Sequence, residues 1–417
     1  MLPRTLVLAD DLTGANDTAV QFADNGFNTL LTSSVQELVK LDNSRSEVVA
    51  INAATRPSYA KAEETTRNLT EQAIRAGFEQ IYLKVDSTMR GSVAQQIKGA
   101  IAGLGNRNAL AFVCTAYPEM GRVINDEVLY VDGIPVTETR SGRDPITPVK
   151  SSRIGDLIPD SFHVRNHHDV DHCVQEIIES TAQIITFDAR VQEDLEQISE
   201  VADRVERPIV FVGSAGLAQA LIAKASEPKS AAKLPLPIDF PPLVVVTSIH
   251  DVSQAQVDEY ISDSAGVSST VFSPAPAQLT QDPSMPSLLR QISVLSQDTN
   301  GVLVLRANPT VTASIEKRAQ VASDFANKLS SLTKKALQSG KFGSLIILGG
   351  DGSAACFKEL SIANTQVLGS IEKGVPLSIV VDGPFEKLPI VTKSGGFGEP
   401  NLLINIVNQI WKGISNE

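Results

Sequence analysis

Cysteine is scarce in this chain. Cys114, Cys173 and Cys356 are the only three in 417 residues, spaced too widely for a metal pattern or a disulfide framework. Buried free thiols in a reducing compartment are the expectation. A basic excess is also missing: 36 Lys and Arg stand against 48 Asp and Glu, a formal charge of −12. That balance argues against nucleic acid as a partner, because binding a phosphate backbone needs a basic surface. No apolar run is long enough to span a bilayer, and Met1-Leu2-Pro3-Arg4-Thr5 leads into a short strand without a signal-peptide core. No membrane partner and a cytoplasmic location are therefore expected. A Walker A motif and internal repeats are absent as well, which excludes a P-loop enzyme and a solenoid.

What is present describes a soluble globular protein, 42% apolar and 20% charged. Its length predicts two domains. Short apolar runs at Leu6–Ala9, Val48–Ile51, Ile81–Leu83, Ala109–Val113, Ile184–Phe187 and Ile209–Val212 read as buried parallel strands. Helical patterns lie between several of them, such as Ala60–Ala76 before Gly77 and Val93–Leu104 before Gly105. The expected class is α/β, with two domains that are each a mainly parallel sheet flanked by helices and an active site in the cleft between them. Residues 117–150 interrupt the alternation, with a hairpin at Val128–Val131, Asp132-Gly133 and Ile134–Val136. The proline-rich stretch Ser226–Pro242 is the best boundary. It divides the chain into 1–228, a linker at 229–242, and 243–417, where strands restart at Leu243–Val246 and a last helix covers Asn401–Ile414. Ser273–Pro286 reads as a loop.

Two glycine-rich loops follow apolar runs near the C-terminus. The first is Gly349-Gly350-Asp351-Gly352 after Ser344–Ile347, and the second is Lys393-Ser394-Gly395-Gly396-Phe397-Gly398 after Leu388–Val391. A strand, a glycine turn and a helix start place bare N–H groups around an anion, and the lysine adds a point charge. Nucleotide phosphate is the expected ligand. A rival reading takes Gly350-x-Gly352-x-x-Ala355 as a dinucleotide fingerprint with Glu372 as its ribose acid, although it lies late in its domain.

Two further segments end strands. Asp10-Asp11 and Asp17 follow the first strand and can hold polyol hydroxyls or Mg²⁺; alternatively Asn16 or Asp17 only caps a helix. After Ile81–Leu83 comes Lys84-Val85-Asp86-Ser87-Thr88-Met89-Arg90-Gly91, whose cations and hydroxyls suit a small, acidic, hydroxylated substrate. Its bland alternative is an ion-paired turn. Arg56 is expected at the same sheet edge. Four of the five histidines fall in His163–His172, where His168 and His172 have zinc-site spacing. A solvated helix start, with Asp169 and Asp171 ahead of Cys173–Ile178, is the preferred reading.

Together these segments resemble the four-carbon acid sugar kinases. The family's motifs are matched in order by Ala9–Thr18 (ADDLTGANDT), Lys84–Gly91 (KVDSTMRG) and Pro118–Arg122 (PEMGR). Then follow Glu138-Thr139 with Asp144, Pro145 and Pro148, Gly213–Ala218 (GSAGLA), Gly349–Asp351 (GGD), Glu372–Pro376 (EKGVP) and Lys393–Gly398 (KSGGFG). The resemblance implies an ATP- and Mg²⁺-dependent kinase that phosphorylates the terminal (4-) hydroxyl of a sugar acid such as D-threonate or D-erythronate. It implies that the N-terminal domain binds the acid through Asp10, Asp11, Arg56, Lys84, Val85, Asp86, Ser87, Thr88 and Arg90, with Asp11 facing the attacking hydroxyl. The C-terminal domain would bind ATP through Ser248, Gly349, Gly350, Asp351, Gly352, Glu372 and Lys393 to Gly398. Pro148–Ile154 resembles the threonate branch more than the 3-oxo-tetronate branch. One departure is Thr247-Ser248-Ile249-His250-Asp251, where the family usually has Gly-Ser-x-Ser-Pro. A 3-oxo-tetronate kinase, an NAD-dependent sugar-acid dehydrogenase and a non-catalytic sensor are the alternatives, and a homodimer is compatible with the sequence.

Overall fold

The computed structural model describes residues 2–33, 47–106, 108–144, 146–165, 169–225, 236–262, 268–275, 278–279, 284–307 and 315–412, with residues 315–322 and Asp351 described by their backbone alone. The chain forms two compact units, Met1–Ala231 and Ala232–Glu417. Pro145, His167, His168 and most of the proline-rich boundary lie outside the described residues.

The first unit holds strands β1 (Thr5–Ala9), β2 (Thr29–Thr32), β3 (Val48–Asn52), β4 (Gln80–Lys84) and β5 (Leu110–Cys114). After β5 come β6 (Arg122–Asn125), β7 (Val128–Val131) and β8 (Ile134–Pro135), and then β9 (Ser161–Val164), β10 (Ile184–Phe187) and β11 (Ile209–Gly213). The main sheet runs β2-β3-β1-β4-β11-β5-β10-β9, and each neighbouring pair is parallel. Because both faces are covered, β1, β4 and β5 are almost wholly buried, which is why they read as unbroken apolar runs. From β1 the chain crosses to β2 on one side through the helix Leu12–Asp24. From β4 it crosses to β5 on the other side through Val93–Gly103. Right-handed crossovers in opposite directions put these helices on opposite faces, so β1 and β4 flank a switch point. The expected hairpin is present: β6, β7 and β8 form a separate three-stranded antiparallel sheet. Asp132 and Gly133 both take positive φ at its tight turn, as a type I′ turn requires.

The second unit holds β12 (Pro242–Val246), β13 (Ser269–Phe272), β14 (Val302–Arg306), β15 (Ser344–Leu348), β16 (Asn364–Glu372), β17 (Val375–Val380) and β18 (Pro389–Lys393). Its order is β13-β14-β12-β15-β18-β17-β16; β17 runs antiparallel to both neighbours and the other pairs are parallel. One face packs Leu243, Leu303, Leu345 and Ile347 against Phe325, Leu329 and Leu332 of the helix Ile315–Leu337. The other packs Val244, Val304 and Ile346 against the helices Asp251–Ser262 and Leu402–Ile410. Cys356 of the helix Gly350–Glu359, which follows β15, joins the first face, so that helix and the helix after β12 lie on opposite faces and make a second switch point. The last helix ends at Ile410, short of the expected Ile414, and Met285–Asp298 starts inside the stretch read as a loop. No described helix is long and apolar enough to cross a membrane.

Candidate active site

At the β1/β4 edge the short loops bring together side chains that are far apart in sequence. Arg56, in the loop after β3, grips Asp10 with two nitrogens at 2.7 and 2.8 Å and reaches Asp11 Oδ2 with the third. Asp10 is 1% exposed. Asp11 Oδ1 accepts from the backbone N–H of Gly14 at 2.6 Å, so Asp11 is the N-cap of the helix Leu12–Asp24. That corrects the capping expectation: Asn16 and Asp17 lie inside the helix, because the β1 strand ends so tightly that helical turns begin at Leu12. Asp17 is half-buried there, and desolvation pushes its carboxyl above the ordinary range against the pull of Lys84.

The second loop is knotted by its own charges. Arg90 donates to Asp86 through Nε at 2.9 Å and through a terminal nitrogen at 2.8 Å, and to Asp144 of the insertion at 3.2 Å. Asp86 also accepts from the Thr88 backbone and hydroxyl, with Arg56 4.0 Å away. Burial alone would raise the Asp86 carboxyl, but the hydrogen bonds and charge of Arg90, then Arg56 and Thr88, outweigh it and hold it well below the carboxylate range. The ion-paired turn is therefore real, and it is built with groups expected to meet substrate. Val85 is fully buried and its N–H donates to Gly213 O at 3.0 Å. Lys84 differs from both arginines: among the described residues it makes no ion pair within 4 Å. A Cβ on Gly14 would lie 2.9 Å from its Nζ and 2.8 Å from Asp11 Oδ1, so the glycine makes room for that amine. Ser87 lies between, half-buried.

In the second unit the loops after β12, β15 and β18 meet at one sheet edge. Gly349 N–H donates to Lys393 O at 2.8 Å, and Ser248 N–H to Leu348 O at 3.1 Å. The fit is so close that side chains are excluded. A Cβ on Gly395 would be 2.4 Å from Ser248 Oγ, and one on Gly352 would be 1.8 Å from Thr247 Oγ1. The helix Gly350–Glu359 starts here with its unpaired N–H groups. In the neighbouring loop, the N–H groups of Ser394, Gly395 and Gly396 have no acceptor among the described residues. Turn Glu372–Gly374 joins them, with Phe397 3.0 Å from where a Gly374 Cβ would lie. His250, in the loop with the altered motif, stands with Nε2 3.2 Å from a Gly396 Cβ position.

Lys393 is 3% exposed and turns away from this edge, donating to Gln256 Oε1 at 2.7 Å and Ser253 Oγ at 3.2 Å. Burial lowers its amine to about 8. Sequence reasoning missed Ser253 and Gln256. The signal for them was a run of polar residues, Ser253, Gln254 and Gln256, on the buried side of a helix that packs through Val257 and Tyr260.

Of the clustered histidines, the described His163 and His172 belong to neither set of loops. His163 bridges Thr186 and Asp188 at 2.9 and 3.1 Å, and Asp188 accepts the N–H groups of Asp126 and Glu127. His172 follows the N-cap Asp169, in keeping with a helix start, while His168 is outside the described residues. Among the described residues no group of three or more His, Cys, Asp or Glu is placed to hold a metal ion. All three cysteines are free and buried.

A family model described as a sugar-binding N-terminal domain matches residues 5–221, and one described as a nucleotide-binding C-terminal domain matches residues 243–403. The chain belongs to the four-carbon acid sugar kinase family. The D-threonate kinase of Bordetella bronchiseptica is 31% identical over 409 residues, 97% of this chain and 96% of its own. A solved structure from that species, a domain-swapped dimer with bound citrate, is 29% identical, covers 98% of this chain and 100% of its own, and has a TM-score of 0.50. One from Salmonella typhimurium shares the fold at a TM-score of 0.81 with 22% identity, covering 96% of this chain and 98% of its own. Within a kinase family the dinucleotide fingerprint at Gly350–Ala355 loses its meaning. Its supposed ribose acid, Glu372, instead accepts from Gln409.

Proposed function

We propose that the protein transfers the γ-phosphoryl group of ATP to the terminal (4-) hydroxyl of a four-carbon sugar acid, D-threonate first and D-erythronate next. The observation that carries the nucleotide half is the convergence of three loops whose glycines admit no side chain, with N–H groups left unpaired among the described residues at the helix start Gly350 and at Ser394 to Gly396. Residues Ser248, Gly349, Gly350, Asp351, Gly352, Glu372 and Ser394 to Gly398 are the proposed nucleotide contacts. The N-terminal sheet edge offers the acid half. Lys84 is the cation not consumed by an aspartate, so it is assigned the substrate carboxylate. Asp10, Asp86, Ser87 and Thr88, held by Arg56 and Arg90, present acceptors and donors to the hydroxyls. The citrate held by the Bordetella relative, a hydroxylated polycarboxylate, agrees with that class of ligand.

In the reaction the terminal hydroxyl oxygen bonds to the γ-phosphorus as the bond from phosphorus to the β,γ-bridging oxygen breaks, and ADP leaves. Asp11 is the proposed acceptor of the hydroxyl proton: its two engaged oxygens still have unused lone pairs, and Arg56 and the Gly14 N–H fix its orientation. Mg²⁺, the usual partner of ATP, would supply charge neutralisation at the transferring phosphate. A cytoplasmic location goes with the need for ATP. A homodimer is carried over from the Bordetella relative as the assembly, which sedimentation velocity measures.

The test is a panel of tetronates with MgATP and, separately, with NAD. ADP formed with D-threonate or D-erythronate but not with 3-oxo-tetronates supports the reading. Preference for a 3-oxo acid moves the protein to that branch. NADH formation, or binding without turnover, refutes it.

A further inference from the structure

The glycine loop after β18 is oriented from behind, by a helix that carries none of the expected nucleotide contacts. Gln256, on Asp251–Ser262, donates its side-chain amide to three successive loop carbonyls, Phe397, Gly398 and Glu399, at 3.0, 3.1 and 2.9 Å. One turn earlier, Ser253 Oγ donates to Gly395 O at 2.6 Å. Lys393 closes the arrangement by donating to both side chains. Chemistry fixes which way the Gln256 amide points: an ammonium only donates, so it faces Oε1, and carbonyls only accept, so they face Nε2. Gln256 and Ser253 are 0% exposed, which keeps water from competing for these bonds.

In a peptide unit the C=O and N–H point in opposite directions. The carbonyl of one residue shares its peptide unit with the N–H of the next, so drawing Gly395 O towards the helix turns the Gly396 N–H outward, and drawing Phe397 O and Gly398 O inward turns out those of Gly398 and Glu399; none of these three N–H groups has an acceptor among the described residues. We propose that Gln256, with Ser253, is the positioning residue of the phosphate loop, and that Lys393 acts by locking these two side chains rather than by touching phosphate. This rests on the nucleotide reading above and deepens it. Both of the lysine's hydrogen-bond partners are neutral, so its charge stays available as a field beneath the loop. That field does not require the amine to leave its buried seat.

The test measures ATP affinity calorimetrically for the full chain and for Gln256→Met, Lys393→Met, the double variant and Ser253→Ala, with circular dichroism and thermal scans to verify folding. Gln256→Met and Lys393→Met should each weaken ATP about tenfold, the scale of misaligning a hydrogen bond to a charged group. The double variant should lose no more than the worse single one, because both act through one assembly. Ser253→Ala, which removes a single bond, should lose a few-fold and serves if Gln256→Met does not fold. KM for D-threonate should stay unchanged, a selectivity that general loosening would not show. Losses that multiply in the double variant, or a large loss for Lys393→Met beside an unaffected Gln256→Met, would overturn the proposal by making the lysine a direct phosphate ligand. If the unaltered chain fails to bind ATP, the nucleotide reading itself falls, and this inference with it.

Discussion

Replacing Gly352 with alanine probes the tightest contact at the nucleotide edge. The added Cβ would stand 1.8 Å from Thr247 Oγ1, 2.3 Å from Thr247 Cβ and 2.5 Å from Thr247 Cγ2. Rotating the threonine moves Oγ1 and Cγ2 but leaves its Cβ in place. Carbon atoms rest about 3.5–4.0 Å apart, so the β12 end or the start of the helix Gly350–Glu359 must retreat by roughly 1 Å. Overpacking of this kind costs about 1–3 kcal/mol, offset by about 1 kcal/mol from better helix propensity. The net loss is about 0–2 kcal/mol, or up to roughly 8 °C in Tm for a unit of this size. The same 1 Å shift at the helix start displaces the N–H groups assigned to phosphate, where misplacement can cost about 100-fold in rate. Thr247→Gly removes the obstructing Cβ, at the loss of the Thr247 hydroxyl bond to Leu348 O at 3.2 Å. The double variant should therefore be more stable than Gly352→Ala alone and bind ATP more tightly. Thermal scans and titration calorimetry on the four chains decide it. Additivity within about 0.5 kcal/mol would refute the steric account. Recovery would also show why threonine can stand where the family carries glycine: Gly349 and Gly352 yield the space.

Asp11→Asn keeps a capping acceptor for Gly14 but loses the carboxylate, so kcat should fall by about two orders of magnitude or more with ATP affinity little changed; near-normal kcat would reduce Asp11 to a cap. Gly396→Val places a side chain against the His250 ring, 3.2 Å from Nε2, and should raise KM for ATP far more than KM for the acid. An unaltered ATP response in a folded variant removes the loop from the nucleotide site. Lys393 has a folded-state value of about 8, below its ordinary value of 10.5, so the unfolded chain binds more protons between these values. Its contribution to stability must then rise with pH from about 8 to 10.5, and Lys393→Met should flatten that part of the stability curve relative to the unaltered chain. An identical pH slope in both would place the amine in water.

Much of the architecture was legible because parallel strands buried on both faces must be apolar throughout. Leu6–Ala9 and Ser344–Ile347 therefore announced themselves without any partner in view. Glycine turns after β15 and β18 were equally visible, since a positive φ or a contact under 3 Å admits no other residue; Gly349 and Gly395 are such cases. The motifs also placed Asp10, Arg56 and Asp86 at one sheet edge, because strand ends in a parallel sheet share an edge.

Pairing is where local sequence stops. That Arg56 is held by Asp10 and Asp11, that Arg90 is shared by Asp86 and Asp144, and that Lys84 is left over depends on distances across loops separated by dozens of residues. The same holds for direction. Lys393 reads as a phosphate lysine in its motif, yet its amine points to Gln256 and Ser253, because the helix after β12 lies closer to it than the loop's outer face. Residue types and their order determined the two α/β units and the candidate edges. Only tertiary structure decided which charges neutralise one another, since hydrogen bonds and ion pairs act over a few ångströms of space and carry no trace of separation along the chain.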